Sequence, residues 1–284
     1  MKILITGKNS YIGKSFYNWV KEHEPSFEVD QLSLRNINLS DLSFKGYDVI
    51  FHVAGIAHIT SNKKLVPEYF RINRHLAIEV AIKAKQEGIK QFIFTSSIAI
   101  YGDDLPIGVI KPIDVNLPKP TNAYGQSKLE ADLEIQKLDD ESFKTIILRI
   151  PMVYGENANG NFPKLYNFSK CFFVFPQINN QRSVLHVDNL SRVISYLIKN
   201  NLNGVYYPQD KQYLETVKLI KKIRSVKFNI VLKLFNFPLK VLSRKLVFIN
   251  KIFGNKFFEQ SLSKIKDCNY QVNNIYDFIE QINY

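Results

Sequence analysis

An apolar run, a glycine, five further residues and a second glycine open the chain as MKILITGKNSYIG, Met1 to Gly13. A strand that hands over at once to a helix needs a residue that tolerates a tight bend, and Gly7 supplies it. The opening therefore fixes a strand at Lys2 to Thr6 followed by a helix. Four more runs rich in β-branched and aromatic residues follow, at Phe27 to Leu34, Asp48 to Val53, Gln91 to Thr95 and Lys144 to Leu148. Helical patterns separate most of them. Leu76, Val80 and Ala84 repeat every fourth residue before Gly88, and Leu129 to Leu138 reads as another helix. Such alternation predicts an α/β fold, a Rossmann-like doubly wound parallel sheet with helices on both faces. After Arg149 the rhythm breaks over Pro151, Gly155, Asn157, Asn159, Gly160 and Pro163. The predicted organisation is a dinucleotide-binding domain over 1–155, completed by about 186–203, with 156–185 and 204–284 forming a smaller C-terminal lobe for substrate.

Composition enters through charge and cysteine. The formal charge is +12, but Val217 to Phe258 holds 11 Lys and Arg and no Asp or Glu, leaving 27 basic against 26 acidic residues elsewhere. The excess is local, which argues against a nucleic-acid partner for the whole chain. Two cysteines without short spacing, Cys171 and Cys268, suit a reducing compartment and read as small buried hydrophobes rather than a disulfide or metal pair. The opening strand carries no basic leader or cleavage pattern, and no apolar run approaches the roughly 18 residues of a membrane span. These features predict a cytoplasmic protein.

In the opening turn Gly7 and Gly13 fit the first and third positions of a phosphate-binding loop, where helix-opening amides point at a pyrophosphate. The middle position, where a missing side chain lets backbone approach the phosphates, holds Ser10, whose hydroxyl must be accommodated or donate to a phosphate itself. A strand-to-helix turn with no ligand is the alternative. The second strand decides between cofactors, because a carboxylate at its end binds the ribose of NAD whereas a basic residue accommodates the phosphate of NADP. Asp30 falls too early, while Ser33 and Arg35 lie near the end, so NADP(H) is favoured over NAD(H); Arg35 as a solvated charge is the alternative.

Two further stretches carry chemistry: TSSIAIYG, Thr95 to Gly102, after the fourth apolar run, and NAYGQSKLEA, Asn122 to Ala131, opening a helix. Tyr124 and Lys128 lie four residues apart, one above the other on one helix face. An ammonium beside a phenol favours the phenolate and lowers its pKa, which makes the tyrosine a general acid or base. Ser97, at the exit of a parallel strand, is placed to hold a substrate oxygen.

With these residues the chain resembles the extended short-chain dehydrogenase/reductases, the nucleotide-sugar epimerase, dehydratase and reductase family, from Met1 to about Asp210. The landmarks are TGKNSYIG, HVAG (His52 to Gly55), Asn73 in FRINRHLA, TSSIAIYG, YGQSK, LRIPMVYG (Leu148 to Gly155) and QRSVLHVDNL (Gln181 to Leu190). The resemblance implies Ser97 as substrate-orienting residue, Tyr124 as proton-transfer residue and Lys128 as its partner and ribose ligand. It implies cofactor contacts from Gly7, Ser10, Tyr11, Ile12, Gly13, Ser33, Arg35, Leu39 and Ala54. Substrate contacts are implied for Met152, Asn161 and Arg182, the last on a phosphate. Met152 departs from the asparagine of many nucleotide-sugar members. LRIPMVYGENANGNF, NNQRSVLHVDNL, GVYYPQD and KIFGN are similar to CapN-like reductases of bacterial capsule and O-antigen synthesis. That likeness implies reduction of a UDP-4-keto-6-deoxy-N-acetylhexosamine to UDP-N-acetylfucosamine or UDP-N-acetylquinovosamine. A 4-epimerase of UDP-sugars or polyprenyl-diphosphate sugars is the alternative, and a non-catalytic nucleotide-sensing scaffold a lesser one. The family also implies a homodimer.

The remaining candidates read more plainly. His52 and His58 have no metal-like companions, and His186 beside Asp188 reads as structural; no metal site is predicted. Asn161 can be turn chemistry and Arg182 a surface ion pair. In the basic segment, Leu239, Leu242, Leu246, Ile249 and Phe253 follow 3-4-3-4 spacing, one helical stripe with Lys240, Arg244 and Lys251 mostly off it. A helix over 238–256 reads as a cover on the substrate pocket, with contact to an anionic membrane at its inner face as the functional alternative.

Overall fold

The computed structural model describes residues 1–57, 66–171, 174–223, 230–232 and 236–282. His58 lies outside the described residues, as does the side chain of Cys171. In chain order the elements begin β1 (Lys2–Thr6), α1 (Tyr11–His23), β2 (Glu28–Leu32) and β3 (Val49–His52). A long helical stretch follows, α2 (Val66–Tyr69) and α3 (Ala77–Gln86) joined by a π-helical segment, Phe70–Leu76. Then come β4 (Gln91–Ser97), α4 (Ala123–Gln136), β5 (Lys144–Ile150), β6 (Met152–Tyr154), α5 (Asn161–Cys171), β7 (Val174–Pro176), β8 (Val184–His186), α6 (Val187–Lys199) and β9 (Gly204–Tyr206). The chain closes with α7 (Thr216–Ile223), β10 (Ile230–Leu232), α8 (Asn236–Ser243), α9 (Val247–Phe253) and α10 (Ile275–Ile282).

Six strands form one parallel sheet in the order β2-β1-β3-β4-β5-β9. Its central strands are apolar on both faces because helices cover both. Phe16, Trp19 and Val20 of α1 and Leu190, Val193 and Ile194 of α6 close one face over Ile3, Ile5 and Phe51. Small residues of α3 (Ala77, Val80, Ala81, Ala84) and α4 (Ala131, Ile135) close the other over Leu4, Ile50 and Phe92. The chain leaves β1 towards β2 and returns to β3 on β1's other side. That reversal opens a crevice at the C-terminal ends of β1 and β3, where ligands of such sheets bind.

Three expectations shift. The second strand spans only Glu28–Leu32, because the chain turns away at Ser33 once the Leu32 carbonyl accepts from the Gly7 and Lys8 amides (2.8 and 3.1 Å). Gly204–Tyr206, read as part of the C-terminal lobe, pairs with β5 as the sheet's edge strand. The helix over 238–256 is two helices. The Ser243 carbonyl accepts from the Asn250 side chain at 2.8 Å, which ends α8, and Arg244 to Leu246 turn the chain into α9. The apolar stripe divides with it: Ile249 and Phe253 are buried and Leu239 packs against them, whereas Leu242 and Leu246 are exposed. Cys268 is half-buried against the first face, with burial pushing its thiol up to about 11.

Beyond the sheet, the parallel pair β6-β8 and helices α5, α7 and α10 surround Tyr154, Phe162, Leu165, Leu219 and Phe278. Ile107, Phe175, Ile178, Ile220, Ile249 and Phe253 form a second small core.

Candidate active site

The site starts at the crevice. Gly7 sits at φ +120°, and a Cβ there would fall 2.7 Å from the Ala54 amide nitrogen, so only glycine lets the ends of β1 and β3 close together. Ser10 is the N-cap of α1: its Oγ accepts from the Gly13 amide at 3.0 Å. The serine in the glycine position thus serves the helix, and the Tyr11 and Ile12 amides have no intrahelical acceptor. The first turn of α1 carries no acidic residue, so nothing on it competes for its positive end. Ile12 packs into the first core and Leu39, opening a 3₁₀ turn, into the second.

No carboxylate stands at the end of β2. Asp30 is mid-strand, paired with Leu4 in register, and accepts from the Tyr47 hydroxyl at 2.7 Å. Beyond Leu32, Ser33 is half-buried and its Oγ accepts from the Arg35 amide (3.4 Å), while the exposed Arg35 guanidinium has no ion pair among the described residues.

Tyr124 and Lys128 project from the first two turns of α4, which Asn122 caps through the Gly125 amide (2.9 Å). Gly125 permits the helix to sit flush on the turn after β4, since a Cβ would meet the Ala99 carbonyl at 2.6 Å. That contact brings Tyr124 beside Ser97, whose Oγ accepts from the Ala99 amide at 3.1 Å. Burial raises the phenol above its ordinary value, the neighbouring Ser97 hydroxyl partly offsets this, and Tyr69, edge-on at 6.0 Å between ring centroids, adds to the rise.

Lys128 lies on the face of α4 that its spacing from Tyr124 indicates, and its ammonium takes an acceptor from β4. Its ammonium donates to the Thr95 carbonyl at 2.9 Å and lies 4.6 Å from the Phe94 ring centroid. Helical spacing sets the face but leaves a long side chain free to choose its own acceptor. Burial pulls Lys128 down to about 8, against the attraction of Asp132. The ammonium borders Gly55, where a Cβ would stand 3.5 Å from it, and so looks into the crevice. Beneath it His52 is buried, bonded through Nδ1 to Thr6 Oγ1 (2.8 Å) and stacked on Phe92 and Phe94. Burial and the Lys128 charge hold His52 down at about 3, so it stays neutral and structural.

Sequence reasoning missed the residues that fix this arrangement. Asn73 stands out in the sequence only as a family landmark. It lies in the π-helical segment, whose wider turns recur at functional sites, and clamps the Ile56 backbone through both ends of its amide (2.8 and 3.0 Å) while donating to Ser127 Oγ (3.3 Å). Asp132 accepts from Ser96 Oγ (2.6 Å) and takes Arg149 in a two-pronged pair, both contacts 3.0 Å. Arg149 also donates to the Tyr101 and Tyr207 hydroxyls (2.8 and 3.0 Å). Asp132, four residues past Lys128 on the same face, was the available signal.

Register links two of the remaining candidates, Met152 and Arg182, to Ser97. Ser97 pairs with Ile150, and Met152 with Val184, two residues beyond Arg182. Met152 packs beside Tyr154 and Phe162, and Asn161 is the exposed first residue of α5. Arg182 is engaged inside the protein: it donates to Asp104 (3.4 Å) and to the Asn250 carbonyl. Lys256, donating to the Gly102 carbonyl, lies beside it. His186 caps α6 through the Asp188 amide (3.2 Å).

The crevice fits a dinucleotide: two strand ends in contact, helix-opening amides without an intrahelical acceptor, and a buried ammonium with no ion pair among the described residues. The model of the NAD dependent epimerase/dehydratase family matches residues 3–207. A UDP-glucose 4-epimerase of Vibrio cholerae is 29% identical over 232 residues, covering 77% of this chain and 69% of the relative. An N-acetyl-α-D-glucosaminyl-diphospho-ditrans,octacis-undecaprenol 4-epimerase of Escherichia coli O157:H7 is 28% identical over 255 residues, covering 85% and 74%. A UDP-2-acetamido-2,6-β-L-arabino-hexul-4-ose reductase of Pseudomonas aeruginosa is 27% identical over 230 residues, covering 75% and 54%. Among solved structures, a UDP-glucuronic acid 4-epimerase of Bacillus cereus, in complex with UDP-4-deoxy-4-fluoro-glucuronic acid and NAD, superposes at a TM-score of 0.70 with 19% identity, covering 99% and 100%. A dTDP-4-dehydrorhamnose reductase of Bacillus anthracis with NADP gives 0.63 at 21% identity, covering 84% and 86%.

Proposed function

Because this chain belongs to the NAD dependent epimerase/dehydratase family, we propose that it is an NADPH-dependent reductase of a UDP-4-keto-6-deoxy-N-acetylhexosamine. Its product is UDP-N-acetylfucosamine or UDP-N-acetylquinovosamine, for surface-polysaccharide synthesis in the cytoplasm, and its working form is a homodimer. The observation that carries the reductase reading is the end of β2, where the unpaired Arg35 and the Ser33 hydroxyl stand in place of a carboxylate. A 2′-phosphate finds charge there, and a reductase consumes the cofactor that carries it.

NADPH, when bound, supplies the hydride that reaches the sugar C4. Gly7, the Tyr11 and Ile12 amides, Gly13 and Ala54 hold the pyrophosphate side, Leu39 flanks the base, and Lys128 holds the ribose beside Gly55. Tyr124 gives its phenolic proton to the C4 oxygen as the ketone becomes an alcohol, and solvent restores that proton. Ser97, beside the phenol, orients the same oxygen. A positioned acid of this kind contributes about 10² to 10⁴ in rate. Met152, Asn161 and Arg182 line the sugar-diphosphate end, in a lobe built from 156–185 and the residues after β9; Arg182 meets phosphate by exchanging its contact with Asp104.

A second reading, a 4-epimerase, is favoured by the two relatives named as 4-epimerases. Mixing the protein with NADPH and UDP-2-acetamido-2,6-dideoxy-hexos-4-ulose, and following the reduced nicotinamide, separates the two. Loss of one NADPH per alcohol formed supports the reductase. No loss, with interconversion of C4 epimers of a UDP-hexose, establishes the epimerase instead. A scaffold without chemistry does neither.

A further inference from the structure

Helix α8 presents an outward face that a water-facing helix does not ordinarily carry. Its inner side is satisfied: Leu239 joins the core of Ile249 and Phe253, and Ser243 Oγ accepts from the Ile107 amide at 3.3 Å. Outward stand Phe237, 77% exposed, Val241 at 47%, and Leu242 at 45%, with Leu246 at 44% just past the helix end. Lys240, Arg244 and Lys245 are interleaved with them and also exposed.

The apolar exposure continues across a gap. Ile110 (53%) and Val109 lie on the loop that follows Ile107, and that loop faces α8 over a cavity of about 420 Å³ lined by Ile107, Ile110, Ile178, Phe237 and Lys240. The Lys240 stem lies against Gly108, so loop and helix form one surface. Contiguous exposed apolar groups of this extent mark an interaction site. Their setting names the partner class: no Asp or Glu occurs between Val217 and Phe258, nor between Leu105 and Lys111.

We infer that α8 and loop 107–110 form a docking surface for an anionic bilayer, the apolar side chains entering between acyl chains while Lys240, Arg244 and Lys245 meet headgroup phosphates. Large apolar residues alternating with cations and without acids are what such an interface selects. A second copy fits worse, because a two-fold contact sets the same face against itself and opposes these cations. The surface also reaches the candidate site by a short path. The Ser243 carbonyl at the end of α8 accepts from Asn250, whose own carbonyl accepts from Arg182.

Co-sedimentation of the full chain with phosphatidylglycerol vesicles, phosphatidylcholine vesicles and no lipid tests this. The expected result is capture by phosphatidylglycerol at low ionic strength, release at high salt and no capture by phosphatidylcholine. Joint K240Q, R244Q and K245Q substitution lowers the partition by about two orders of magnitude. Joint F237S and V241S substitution lowers it about tenfold or more. Both variants keep the parent's cooperative unfolding and sheet circular dichroism, since all five substituted residues are exposed. The proposal is overturned if the parent stays in the supernatant with phosphatidylglycerol at low salt, or if the neutralised variant partitions like the parent. It is equally overturned if vesicles fail to bind while the same substitutions abolish self-association or binding to a nucleic acid.

Discussion

The inner face of α4 keeps two cations out of water and treats them in opposite ways. Arg149 is met by both oxygens of Asp132 and by two tyrosine hydroxyls. Lys128, one helical turn from Asp132, has a backbone carbonyl and a ring. Taking an ion out of water costs several kcal/mol, which only well-placed partners offset. Burial works against both charges. Asp132 more than compensates for Arg149, which is held above its ordinary value, whereas Lys128 is drawn down to about 8. The first is a finished joint between α4, β4 and β5; the second is a charge with no ion pair among the described residues. Completeness of pairing separates the residue that holds the fold from the residue proposed to meet the cofactor.

The largest effect expected on the ligand-facing side is that of Tyr124→Phe. It lowers NADPH-dependent turnover by about 10² to 10⁴ while leaving the thermal midpoint near that of the parent. An equal loss of stability would move Tyr124 to the structural class. On the paired side, Asp132→Ala leaves Arg149 buried without its counter-charge and costs about 3–5 kcal/mol by urea unfolding. A loss below about 1 kcal/mol would show that water replaces the carboxylate and that the contrast with Lys128 is not real.

Lys128 itself gives a signed pH effect. Its folded pKa of about 8 lies below its free value of 10.5. Between those values the unfolded chain binds more protons, so stability rises with pH across that window. Below pH 8 the cost of the buried charge is fully present. Lys128→Met removes this rise and is more stable than the parent at pH 7, read from urea midpoints of the two proteins. The smallest effect belongs to Arg35→Ala, at an exposed position. The KM for NADPH rises severalfold and that for NADH is unchanged; equal changes in both would remove the NADP preference.

How legible these features were in the sequence depended on how locally they are built. The central strands read as continuous apolar runs because helices bury both their faces, and β1 matches its expected bounds from Lys2 to Thr6. Tyr124 and Lys128 share one face of one helix, which spacing alone indicates. The destination of the lysine ammonium was not legible, because it turns on a carbonyl of a strand 33 residues earlier. Asn73 joins Ile56 to Ser127 across 17 and 54 residues, and Arg182 meets Asp104 and Asn250 across 78 and 68. No periodicity records such joins. The break between α8 and α9 is of the same kind. A pattern continuous in sequence was cut by hydrogen bonds of Ser243 to Asn250 and Ile107. Ser10 shows the converse, since a residue that departs from a motif satisfied the need of its own helix end.

The measurement closest to the central claim is an NMR titration of Tyr124 with ring-labelled tyrosine, assigned by Tyr124→Phe, in the parent and in Lys128→Met, with and without NADP⁺. The expected result is a phenol that titrates above its ordinary value of 10.0 in the free protein, unmoved by loss of Lys128, and lowered by NADP⁺ in the parent alone. A phenol already below that value without cofactor, returning upwards in Lys128→Met, would contradict it.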